Sequence, residues 1–87
     1  MSCVLEFRPS ARKAVDQLPH EVFRRVKLKI DGLADDPRPR QCVKLAGHES
    51  LFRLRAGDWR IVYAVDDDRQ LVTVTIVAHR RESYRGL

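Results

Sequence analysis

The chain has 87 residues, with 17 Lys or Arg against 12 Asp or Glu and a formal net charge of +5. A chain of this length is expected to form one domain over residues 1–87, with one core burying roughly 60–65% of its unfolded surface. No apolar run is long enough to span a bilayer, and the first residues lack a basic-then-apolar signal pattern. The expectation is therefore a soluble, cytoplasmic protein with no membrane partner. Arginine carries most of the positive charge, 13 Arg against 4 Lys. Its planar guanidinium binds phosphate in bidentate fashion and stacks on bases, so the composition favours nucleic acid or an acidic protein as partner. Cys3 and Cys42 form no C-x-x-C pair and no metal spacing with the three histidines. Both fall in predicted strands, where a reduced Cys acts as a small hydrophobe. No metal site and no cofactor are expected.

Ser2 to Arg8 reads as a short strand with Cys3, Leu5 and Phe7 on one face. Pro9 ends it, and Ser10 is the expected N-cap of a first helix of about two turns. Ala11, Ala14, Val15 and Leu18 recur there at helical spacing. Pro19 breaks that helix and opens a second. Val22, Val26, Ile30 and Leu33 form its apolar stripe, flanked by Phe23, while Arg24, Arg25, Lys27 and Lys29 lie on the polar side. Asp35-Asp36-Pro37 stops it, because the residue before proline disfavours the α region. A basic linker, Arg38-Pro39-Arg40, leads to an expected strand over Gln41–Ala46.

Leu51–Ala56 and Trp59–Val65 alternate around Gly57-Asp58, which predicts a β-hairpin with a type II′ turn. That register sets Ala56 opposite Trp59 and Arg55 opposite Arg60. One face then carries Phe52, Leu54, Trp59, Ile61, Tyr63 and Val65, with Trp59 and Tyr63 read as core. The other carries Arg53, Arg55 and Arg60, with Val62 and Ala64 behind them. Like charges opposite each other weaken a sheet pair, so the cluster implies an absent, negatively charged partner. Asp66-Asp67-Asp68-Arg69 is a polar turn whose acids serve solubility and turn geometry. Gln70–Val77 is the last strand, with Val72, Val74 and Ile76 expected in the core and Thr73 and Thr75 outside. The order β-α-α-β-β-β-β defines an α+β fold. A curled, mainly antiparallel sheet is covered on one face by the N-terminal helical hairpin, and its arginine face is left open as a concave surface.

Five segments in this order carry a resemblance to a known family. They are Phe7–Lys13 (F-R-P-S-A-R-K), the D-P after the second helix, Lys44–Gly47 (K-L-A-G), Phe52–Tyr63 (F-R-L-R-A-G-D-W-R-I-V-Y) and His79–Arg85 (H-R-R-E-S-Y-R). Together they span nearly the whole chain and resemble the RelE/ParE superfamily of bacterial and archaeal toxins. The resemblance implies a toxin of a type II toxin–antitoxin system, neutralised by a cognate antitoxin protein. RelE-type members cut messenger RNA in the ribosomal A site, and ParE-type members poison DNA gyrase. A member that only binds antitoxin or nucleic acid is the third alternative. The toxin–antitoxin complex is expected to bind operator DNA through the antitoxin.

The RelE-like branch is favoured on residues. Arg53 and Arg55 stand where that branch has two basic residues, Arg60 matches the hairpin arginine, Arg80 the C-terminal arginine and Tyr84 the aromatic. The implied reaction is attack of a ribose 2′-OH on the adjacent phosphorus, giving a 2′,3′-cyclic phosphate and a 5′-OH without a metal. The catalytic set is then Arg53, Arg55, Arg60, Arg80 and Tyr84. Arginines stabilise the charge gathered on phosphate oxygens, with Arg60 and Arg80 as phosphate clamps. Tyr84 stacks on a base or orients the 2′-OH. Lys44, Arg81 and His79 are the expected RNA-binding residues. Arginine keeps its proton, so His79, His48 and Glu49 are the remaining candidates for a general base. Alignment of the substrate by the ribosome is the other source of rate.

Overall fold

The structure is a computed structural model and describes residues 2–47 and 50–81. Its first strand, β1 (Val4–Phe7), is shorter than the expected Ser2–Arg8. Proline has no N–H to give a ladder, so pairing ends before Pro9. Ser10 is not the N-cap of α1 (Pro9–Asp16), contrary to expectation. Arg8 holds that position in an extended conformation and caps with no side-chain hydrogen bond. Pro9 is already helical, because its fixed φ suits a first turn whose N–H groups have no intrahelical partner. Pro19 stands at the N-cap of α2 (His20–Gly32). Val26, Ile30 and Leu33 of the apolar stripe are buried, and Val22 and Phe23 pack half-buried beside them.

Four further strands follow: β2 (Val43–Lys44), β3 (Leu51–Ala56), β4 (Trp59–Asp66) and β5 (Leu71–His79). They form one five-stranded sheet in the order β1-β5-β4-β3-β2. Only β1 runs parallel to its neighbour, with Val4 opposite Leu71 and Phe7 opposite Val74, so the sheet is mixed. The chain reaches β2 through a turn in which Cys42 N–H bonds to Pro39 O, and it leaves near Gly47 with φ of 78°. The expected six-residue strand over Gln41–Ala46 is therefore cut to two.

The hairpin forms as its alternation predicts, with Ala56 opposite Trp59 and Arg55 opposite Arg60. Gly57 has φ of 62° and Asp58 a negative φ, as a type II′ turn requires. Helices α1 and α2 lie on the face that carries Phe52, Leu54, Ile61, Tyr63, Val72 and Val74. Tyr63 is 0% exposed and stacks on Phe52, with ring centroids 5.8 Å apart. Its hydroxyl donates to Pro37 O at 2.8 Å. Burial, followed by its contact with the Cys42 thiol, pushes the Tyr63 phenol well above its ordinary pKa.

The linker after α2 is held more firmly than a basic spacer would be. Arg38 donates to both carboxylate oxygens of Asp67, at 3.0 and 2.7 Å, and lies over the Phe52 ring at 5.3 Å. The guanidinium holds the Asp67 carboxyl below its ordinary range. Asp66 serves the turn itself, since its Oδ1 accepts from Arg69 N–H at 3.1 Å.

The last strand departs from the expected alternation. Tyr63 pairs with Val74 and Val62 with Ile76, which leaves Thr75 as an extra residue in β5. This β-bulge shifts the faces of everything after it. Val77 joins the helix-covered core opposite Ile61, and Ile76, expected in the core, lies opposite Val62 on the other face. The strand also runs two residues beyond the expected end at Val77.

Candidate nucleic-acid interface

Among the described residues, the sheet face away from the helices is built by cross-strand register. Arg55, Arg60 and Ala78 form one row across β3, β4 and β5, and Arg53, Val62 and Ile76 form the next. Directly opposite side chains on neighbouring strands start roughly 4.5–5.5 Å apart at Cβ, so the Arg55 and Arg60 stems are adjacent. Arg55 is exposed, whereas Arg53 and Arg60 are half-buried. The Nε of Arg60 is shielded from solvent, and Val62 beside it is 0% exposed. Arg60 therefore rises from a packed floor, and Arg55 reaches outward beside it. This combination suits one fixed and one adaptable contact to an anion.

Arg80 joins the same face. Its N–H bonds to Asp58 O at 2.7 Å, which carries the β4–β5 pairing one residue past His79. Alternation from Ala78 then returns Arg80 to the arginine side. Its guanidinium lies 3.7 Å from the Asp58 carboxylate, with both groups more than half exposed. Such a surface pair contributes about 0–1 kcal/mol and leaves Arg80 available to a stronger anion.

Two expected RNA-binding residues are not brought to this face. Lys44 lies opposite Phe52, in register with the helix-covered side and apart from Arg53. His79 lies opposite Trp59, and their rings meet edge to face at 5.4 Å. The His79 Nδ1 accepts from Arg81 N–H at 3.3 Å. The shift that moves His79 away is the same bulge that brings Arg80 in. Arg81 is exposed one residue further on. Tyr84 and two of the candidate bases, His48 and Glu49, lie outside the described residues. Two residues of the site had no sequence signal. Ala78 supplies a small side chain next to Arg60, and Thr75 forms the bulge. Thr75 sits in an unbroken run of strand-forming residues, which gives no hint of a register change, and Ala78 lies past the expected strand end at Val77.

Among the described residues, no three His, Cys, Asp or Glu side chains come together as a metal-binding group. Nor is any helix among them long and apolar enough to cross a membrane. The arrangement is a two-layer α+β sheet with arginines concentrated on its free side.

That fold is shared with a known class of bacterial and archaeal toxins. Residues 5–84 match the family model described as the ParE toxin of the type II toxin–antitoxin system parDE. The chain belongs to this family, within the RelE/ParE superfamily. It is similar to the archaeal RelE chain in the crystal structure of the RelE–RelB complex from Pyrococcus horikoshii. That similarity has a TM-score of 0.82 and 27% identity, over 95% of this chain and 100% of that one. The isolated Escherichia coli RelE toxin matches with a TM-score of 0.80 and 28% identity, over 97% of this chain and 89% of that one. A RelE toxin of Mycobacterium tuberculosis is 46% identical over 37 residues, which is 42% of this chain and 38% of that protein.

Proposed function

We propose that this chain is the RelE-like toxin of a type II toxin–antitoxin pair, a single-domain cytoplasmic endoribonuclease that cuts messenger RNA in the ribosomal A site. The observation that carries this reading is the convergence of Arg53, Arg55, Arg60 and Arg80 on the one sheet face that the helices leave uncovered. In the reaction, the ribose 2′-oxygen forms a bond to the adjacent phosphorus and the bond from phosphorus to the 5′-oxygen breaks. The 2′-OH loses a proton and the leaving oxygen gains one. Charge collects on the non-bridging oxygens, where guanidinium donors are strongest. Arg60, on its packed floor, and Arg80, at the strand end, clamp the phosphate. Arg53 and Arg55 bind the flanking backbone, and Tyr84 contacts a base or the 2′-OH. His79 faces Trp59 across the ladder and its Nδ1 is engaged by Arg81. We therefore assign the rate mainly to charge stabilisation and to alignment of the RNA by the ribosome.

The partner that keeps the toxin silent is a cognate antitoxin. The neighbouring structures from Pyrococcus horikoshii and Mycobacterium tuberculosis are toxin–antitoxin complexes, and the former contains RelB. In this reading the antitoxin covers the arginine face or displaces the segment after Arg81, and it carries the complex to operator DNA. A second reading is favoured by the family model, which is that of ParE toxins: inhibition of DNA gyrase. In vitro translation with primer extension on the message separates the two. Cuts within A-site codons are expected. Their absence, with loss of gyrase supercoiling instead, would overturn the nuclease reading.

A further inference from the structure

We propose that Thr75 is a positioning residue that sets the phase of the strand carrying Arg80; this rests on the reading of the arginine face as an RNA-phosphate site. Thr75 is the residue by which β5 exceeds β4 between the Tyr63–Val74 and Val62–Ile76 pairs. Its hydroxyl donates to Val62 O at 3.0 Å, at the point where the ladder is interrupted. The bond secures a carbonyl at the irregularity and ties the extra residue to the neighbouring strand.

The apolar alternation of β5 by itself does not select this register, and the Trp59–His79 and Arg80–Asp58 contacts form only once it is set. In an uninterrupted ladder Thr75 would oppose Val62, Ile76 would oppose Ile61, and Ala78 would oppose Trp59. His79 would then stand on the arginine face and Arg80 would turn toward the helices. Thr, Ile, Val and Ala fit either phase, so the hydrophobic alternation that ordinarily fixes register is silent here. The bulge decides, and Thr75 closes the bulge. Bulges near functional sites re-aim a side chain in this way.

Two cysteine pairs read the phase without touching the arginines, in a parent whose Cys3 and Cys42 are replaced by serine. Ile61→Cys with Val77→Cys joins residues that are opposite in the observed register. Ile61→Cys with Ile76→Cys joins those opposite in the uninterrupted ladder. The parent is expected to form the first disulfide and not the second. Thr75→Val should raise the ratio of the second disulfide to the first by about fivefold, the equilibrium worth of one net hydrogen bond, and cleavage in a translation extract should fall in proportion to the population that leaves the first register. Thr75→Ser should restore both. Deleting Thr75 makes the ladder regular while keeping Ile76 opposite Val62, so Arg80 stays on the arginine face and cleavage is retained. The proposal is overturned if Thr75→Val forms only the first disulfide, or if the folded deletion variant loses cleavage. Should the parent itself not cut RNA, the nuclease reading fails and the disulfide partition still decides the role of Thr75.

Discussion

The two faces of the β3–β4 hairpin are made from the same two strands and obey opposite rules. Phe52, Leu54, Ile61, Tyr63 and Val65 point under the helices and are at most 7% exposed. Arg53, Arg55 and Arg60 alternate with them and point away. Every residue on the covered side removes apolar surface from water, at about 25 cal/mol per Å². On the other side two arginines are set directly opposite each other, which opposes sheet pairing. The covered face therefore holds the fold, and the open face draws on that stability to keep like charges together. This separation is what makes the two faces independently breakable.

The largest expected effect is on function alone. Replacing both Arg60 and Arg80 by Ala removes two guanidinium contacts to the phosphate. At about 1.5–3 kcal/mol for a hydrogen bond to a charged group, the pair is worth on the order of 10² to 10⁴ in rate. Growth arrest on induction should disappear while the circular dichroism spectrum and thermal midpoint stay near those of the parent. A double variant that still arrests growth would mean the arginine face is not the site. The mirror-image experiment is Leu54→Ala, on the covered side and 2% exposed. It should cost about 2–5 kcal/mol in urea unfolding, a large share of the roughly 5–15 kcal/mol available to a small domain. Any loss of activity should then follow the fraction unfolded.

Much of this contrast is legible in the sequence, and the exceptions have physical causes. The hairpin and its arginine face follow from strict alternation around Gly57-Asp58, and the second helix from the spacing of Val26, Ile30 and Leu33. Local signals fail where a backbone event carries no side-chain mark. Ser10 is a good cap residue, yet the helix starts two residues sooner, at Pro9 with Arg8 as its N-cap. Gln41–Ala46 has strand-like composition, yet the turns on both sides leave only Val43–Lys44 paired. The positions of Ile76, His79 and Arg80 depend on one extra residue in a run whose apolar residues stand in both phases. Arg38 and Asp67 are far apart in the chain, and their pairing needs the folded sheet to bring the linker beside the β4–β5 turn.

A smaller effect sharpens the covered side. Tyr63→Phe removes the hydrogen bond to Pro37 O and should cost about 0.5–1.5 kcal/mol at neutral pH. Its pH dependence has a fixed sign. The folded phenol is held protonated above the ordinary Tyr value of about 10, chiefly by burial. The unfolded chain therefore releases this proton first as pH rises. The stabilising contribution is fully present below about pH 10 and is lost as pH climbs from there through the folded value. Urea melts between pH 8 and pH 11 should show the parent losing its advantage over Tyr63→Phe at the alkaline end. Parallel curves would mean the phenol titrates normally in the folded protein.

The smallest effect on stability is the most direct test of the contrast. Arg55→Glu places opposite charges where like charges now face each other across β3 and β4. Such a cross-strand pair contributes roughly 0.2–1 kcal/mol, so the variant should melt slightly higher than the parent. Raising the salt concentration should shrink the gain, because the Arg55 side is exposed and screening acts on it. Cleavage should fall in the same variant, since a carboxylate now stands beside the phosphate. A domain stabilised and inactivated by one substitution is expected only if the open face is arranged for an anion at some expense to the fold. If Arg55→Glu melts lower than the parent, the two arginines are not in net repulsion, and the open face would be part of what holds the sheet together.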